Sequence, residues 1–140
     1  MRGGSILLID DSPARSRFIA DALRDQGLSV IVAPTPARGV AMAGRADLDL
    51  VVLGVLTPFA TGAASVQAVR HALPDHALLV VSGRSDADAK VRCQELGASD
   101  VIGWPFAIAE FLARVRIQLR RRAASGDAAP DGPAPAPTGA

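Results

Sequence analysis

Cysteine and lysine are nearly absent from this chain, each occurring once, as Cys93 and Lys90. A lone cysteine excludes an internal disulfide and any cysteine-built metal site, and it reads as a small side chain within a helix. The start, M-R-G-G-S-I-L-L-I-D-D, reaches acidic residues after a few apolar ones and has no apolar signal-peptide region. No apolar run approaches membrane-spanning length either, so a cytoplasmic protein without a membrane partner is expected. A strong charge of one sign is also missing. Of the 14 acidic residues Asp127 and Asp131 fall in the last stretch, leaving 12 against 15 basic ones. That mild excess gives no argument for nucleic-acid binding by the domain itself.

What is present is an alternation of short aliphatic runs with helical patterns. Leu50 to Leu53 is an unbroken run bounded by turn formers, as expected of the central strand of a parallel sheet buried on both faces. Around it, Ser5–Ile9, Leu28–Ala33, Ala77–Val81 and Val101–Ile102 read as four more strands. Helices are expected from Pro13 to Arg24, Ala37 to about Arg45, Ala63 to Leu73, Ser85 to Leu96, and from Phe106 through Arg122. Ser12 is a plausible N-cap with Pro13 behind it, and Gly27 and Gly97 close helices. The small-residue second helix should lie close against its neighbours. The expected fold is α/β: a (βα)5, doubly wound, five-stranded parallel sheet over residues 1–122. Ala123 to Ala140 lacks apolar periodicity and reads as a disordered Pro/Ala-rich tail or linker.

In such a sheet chemistry gathers at the carboxyl ends of the strands. The residue ending the central run is Gly54, which has no side chain with which to attack, accept a proton or bind metal. Asp10 and Asp11 follow the first strand, Ser82 the fourth, and G-A-S-D-V-I-G-W-P-F precedes the last helix. In order and spacing these features resemble the receiver domain of bacterial two-component response regulators, most closely the subfamily whose receivers precede a winged-helix DNA-binding domain.

The resemblance implies a three-layer flavodoxin-like fold and phosphoryl transfer to an aspartate. That chemistry needs an acidic pair holding Mg²⁺, the aspartate, a hydroxyl residue and a lysine. Asp10, Asp11 and Ser82 match the retained parts. The phosphoacceptor position is Gly54 and the lysine position Trp104, so no catalytic residue is expected. Asp49 lies at the far end of the same strand and Lys90 on the wrong helix, so neither substitutes. Mg²⁺ at Asp10 and Asp11 would be weak, and the plainer reading has Asp11 helping to cap the first helix and Asp10 solvated in the cleft. Trp104 is expected to lie over Gly54, with a cis bond to Pro105.

With catalysis gone, the resemblance leaves an interaction face of the fourth helix, fifth strand and fifth helix. Complementary charges there, Lys90 with Glu110, Glu95 with Arg116 and Asp100 with Arg114, suggest a homodimer, although Glu110 and Arg114 could instead pair within their helix. The leading expectation is phosphorylation-independent signalling by a dimer, with DNA bound only by an output domain beyond Ala140. The alternatives are a stand-alone adaptor for a protein partner, or a small-ligand sensor using the cleft at Gly54, Ser82 and Trp104.

Overall fold

A computed structural model describes residues 3–45, 47–56, 59–83 and 87–128. Five strands, β1 (Ser5–Ile9), β2 (Ser29–Ala33), β3 (Leu50–Val55), β4 (Leu78–Gly83) and β5 (Asp100–Trp104), alternate with five helices. These are α1 (Pro13–Arg24), α2 (Pro36–Ala43), α3 (Phe59–Ala72), α4 (Ala87–Glu95) and α5 (Ile108–Ala128). All strand pairs are parallel, in the order β2-β1-β3-β4-β5, so β3 is the central strand as its composition required.

Side chains alternate across a strand, and the core is accordingly two clusters on opposite faces of the sheet. Leu7, Ile9, Val51, Leu53 and Val80 pack with Val66 and Val69 of α3 and Cys93 of α4. Ile6, Leu8, Leu50, Val52 and Val81 pack with Ile19 and Leu23 of α1 and Phe111 and Val115 of α5. Every residue of the run Leu50–Leu53 is buried, which is why it shows no polar alternation.

Local signals set the helix ends. The hydroxyls of Ser12 and Thr35 accept from the backbone N–H groups of Arg15 and Arg38, each at 3.2 Å, with Pro13 and Pro36 as first helical residues. Gly27 and Gly97 take positive φ, 82° and 108°, after α1 and α4. Helix α2 does lie close to the sheet: a Cβ on Gly39 would come within 2.5 Å of Ile9 Cδ1.

Two boundaries differ from expectation by more than two residues. Helix α3 begins at Phe59 rather than Ala63, with Gly62 buried inside it; one interior glycine costs only about 1 kcal/mol. The backbone of α5 continues past Arg122 to Ala128; alanine sustains a helix already propagating, without apolar periodicity. The rest of the tail, 129–140, lies outside the described residues, as do Thr57, Pro58 and the expected α4 opening at Ser85 and Asp86.

Candidate functional site

The parallel register brings the expected residues to one edge. Ile9 pairs with Leu53, which sets the following Asp10 beside Gly54; Val55 pairs with Ser82, and Gly83 with Trp104. Asp49, by contrast, accepts from the Ser5 backbone N–H at 2.9 Å, at the amino end of the sheet. Ser82 is buried.

Asp10 is not solvated, and Asp11 is not a cap. Asp10 is buried, its side chain without exposed surface. Its Oδ2 accepts from Arg15 Nε at 2.8 Å, and its Oδ1 from Arg15 Nη2 at 2.7 Å and the Ser12 N–H at 2.9 Å. This two-pronged, charge-assisted geometry is the strong form of a carboxylate–guanidinium pair. Asp11 points outward, three-quarters exposed, 3.4 Å from the same guanidinium. It does not cap α1; Ser12 does.

Arg15 owes its position to the cap. Ser12 fixes the start of α1, making Arg15 the third helical residue, whose side chain reaches back over the strand end. A cation in the first turn opposes the helix macrodipole, and Asp10 and Asp11 reverse that penalty.

The space beside Gly54 is taken by this pair. A Cβ on Gly54 would meet Asp10 Oδ2 at 2.9 Å and Cγ at 3.1 Å, and its three nearest neighbours all belong to Asp10. Trp104 makes its ring contacts to α1 and to Phe106. Its ring packs edge-on to Phe18 of α1, centroids 5.7 Å apart, and to Phe106 at 5.1 Å, and the Arg15 guanidinium carbon lies 5.9 Å from its centre. Phe106 stacks in turn on the buried Phe111 of α5 at 4.7 Å. The Trp104–Pro105 bond is cis, as the resemblance implied.

Mg²⁺ does not fit this arrangement. A hard divalent cation needs several oxygens. Both Asp10 oxygens are held by Arg15, Asp11 faces outward, and β3 offers a glycine. Among the described residues no group of three or more His, Cys, Asp or Glu side chains could hold a metal.

On the α4-β5-α5 face, Arg114 is engaged within the chain, with Asp100 at 2.8 Å and Glu110 at 3.1 Å. Burial works against its charge, but the bonds and charge of Asp100, then Glu110, outweigh burial and raise its pKa. Lys90, Glu95 and Arg116 are exposed and form no ion pair among the described residues. Near them Val91 of α4 and Ile117 of α5 are 56% and 39% exposed. A groove of about 580 Å³ runs along β5 from Ser82 past Pro105 to Lys90, Glu110 and Arg114.

Two residues not singled out from sequence organise the opposite end. Arg70 of α3 donates from Nη1 to the carbonyls of Leu73, Pro74 and His76 and from Nε to that of Gly97. Beside it the His76 Nδ1 is buried without a partner among the described residues. Burial first, then Arg122, lowers the His76 pKa below 6.5; Asp75 opposes this and Arg70 adds to it. No helix among the described residues is long and apolar enough to cross a membrane.

Residues 6–116 match the sequence profile of the response regulator receiver domain. The chain belongs to this family. The receiver domain is 34% identical over 129 residues to the KDP operon transcriptional regulatory protein KdpE of Escherichia coli, covering 91% of this chain and 55% of KdpE. It is 33% identical over 119 residues to the transcriptional regulatory protein CusR of the same organism, covering 85% and 52%. The chain thus spans about half the length of the curated relatives it matches. The non-phosphorylated HemR receiver domain of Leptospira biflexa aligns with a TM-score of 0.71 at 26% identity, over 83% of this chain and 94% of that one. NtrX of Brucella abortus aligns at 0.79 over 89% of this chain and 28% of NtrX; at 21% identity this is likeness of fold.

Proposed function

We propose that this receiver domain signals without an aspartyl phosphate, as a two-fold dimer through its α4-β5-α5 face. Gly54 carries the reading. Phosphoryl transfer is almost entirely positioning of a nucleophile and stabilisation of charge around it. Where the family places that nucleophile this chain has a hydrogen atom, and the carboxylate beside it, Asp10, is bound by Arg15.

Dimerisation is supported by what the face leaves open. Lys90, Glu95 and Arg116 are exposed, as are Val91 and Ile117 on the same helices, so opposite charges and apolar surface are both available to a second copy. Across a two-fold axis each pair occurs twice. Asp100, Arg114 and Glu110 are already joined within the chain, which leaves Glu95–Arg116 as the discriminating contact. KdpE and CusR are transcriptional regulators about twice the length of the matched segment; by analogy, the output here is DNA binding by a domain following the tail.

The test is sedimentation of the unphosphorylated protein with and without acetyl phosphate. A dimer that is unaffected by the donor and unlabelled by it supports the reading. A monomer, or a labelled protein, overturns it.

A further inference from the structure

We infer that Arg15 is the resident cation of the cleft, taking with its guanidinium the place of a divalent metal on Asp10 and Asp11 and excluding metal from them. The inference shares with the phosphate-free reading the glycine at residue 54 and the Asp10–Arg15 pair, and it does not depend on dimerisation.

Four observations converge. Arg15 meets both oxygens of a carboxylate that has no exposed surface, and Oδ1 is further committed to the Ser12 N–H. The arginine is itself held: its side chain is 15% exposed, and its guanidinium lies against the ring of Trp104, a favourable arrangement for a cation. It stands in the first turn of a helix, where a positive charge is disfavoured unless an anion is supplied. On the other side of Asp10 even a methyl group at residue 54 would collide with the carboxylate, so β3 offers no side-chain ligand there.

A metal entering this site would have to break a bidentate pair and stand beside the guanidinium it displaced. Like charges at such range repel strongly where water is excluded. The pair is complete as it stands. The cleft therefore carries one fixed charge state, whatever the magnesium concentration around it.

Trp104, the single tryptophan, lies against Arg15 and reports on the site. The experiment is titration of the whole chain with Mn²⁺ by Trp104 fluorescence, with free Mn²⁺ counted independently by electron paramagnetic resonance and Mg²⁺ as competitor. In the wild type no saturable binding is expected through the millimolar range. In Arg15→Ala binding appears, tighter by about tenfold or more and suppressed by Mg²⁺, and the further change Asp10→Asn abolishes it. Should Arg15→Ala fail to fold without metal, Arg15→Gln, which keeps a donor but no charge, gives the same comparison. Wild-type binding equal to that of the variants overturns the inference. So does the absence of binding in every variant, because the missing carboxylate at Gly54 would then suffice to exclude metal. Metal binding by a wild type that acetyl phosphate leaves unlabelled would overturn this inference alone, whereas labelling without metal binding would overturn only the phosphate-free reading.

Discussion

Arg15 spans both carboxylate oxygens of Asp10, at 2.8 and 2.7 Å, across the gap between the end of β1 and the first turn of α1. Removing one partner of such a pair leaves a buried charge, at a cost of about 3–5 kcal/mol, whereas removing both charges together is far less costly. Arg15→Ala should thus lower the urea midpoint more than any other single change at the cleft. Asp10→Asn combined with Arg15→Ala should recover much of the loss. Equal midpoints for the single and double variants would refute a dominant role for the pair.

Restoring a side chain at residue 54 should destabilise the domain. The backbone of Gly54 is not left-handed, so alanine would ordinarily gain about 0.5–1 kcal/mol by reducing the freedom of the unfolded chain. Here a Cβ falls 2.9 Å from an oxygen that cannot turn away without losing Arg15. Overpacking of this kind costs about 1–3 kcal/mol, so the steric effect wins and Gly54→Ala should lose about 1–2 kcal/mol. Combined with Arg15→Ala the two losses should be less than additive, because Asp10 is then free to move. Gly54→Asp should be less stable still and remain unlabelled by acetyl phosphate.

Arg116→Glu is the cleaner probe of the dimer. Arg114 forms two ion pairs within the chain, so reversing its charge disturbs the fold as well as any interface. Arg116 forms none among the described residues and is exposed. Its reversal should leave thermal stability within about 0.5 kcal/mol while shifting the sedimentation coefficient to that of a monomer. The compensating change Glu95→Arg should restore the dimer. Failure of that rescue argues against the pair.

Acid should weaken the amino end of the sheet through His76. Its pKa is lowered in the folded state below the ordinary 6.5, by burial and by Arg122. The unfolded chain then binds the proton more readily, so stability is complete above pH 6.5 and is lost as pH falls from there towards the lowered value. His76→Gln should flatten this part of a plot of urea midpoint against pH. An unchanged profile would assign the loss to other groups.

Much of this could be read along the chain. The unbroken aliphatic run Leu50–Leu53 marked the central strand because burial on both faces removes polar alternation, and Ser12-Pro13 marked the start of α1 because a cap and a fixed φ act locally. The same pairing at Thr35-Pro36, not read as a cap from sequence, starts α2 one residue before the expected Ala37. The receiver signature in Asp10, Asp11, Ser82 and Trp104-Pro105 located the edge at which these residues meet. Arg15 was missed because a lone arginine on a helix ordinarily faces water. One signal was available: it occupies a first turn that contains no acidic residue of its own, a placement the macrodipole penalises unless a neighbouring strand supplies the anion. The volume left by a missing side chain at Gly54 is claimed by the nearest neighbour, Asp10, and the pairing of β1 with β3 decides which neighbour that is, not the local sequence. Arg70 was invisible because its partners are backbone carbonyls, which carry no sequence identity.

The contact between Asp10 and Arg15 also bears on how the domain assembles. Its partners are five residues apart, so it closes a very short loop, and loop closure is the entropic obstacle to early contacts. A site built from the ends of β1 and β3 can form only after the sheet has brought distant strands together. Here the corner between strand and helix can lock as soon as the first turn of α1 is made, so the pair that sets the cleft's charge need not wait for the sheet that surrounds it.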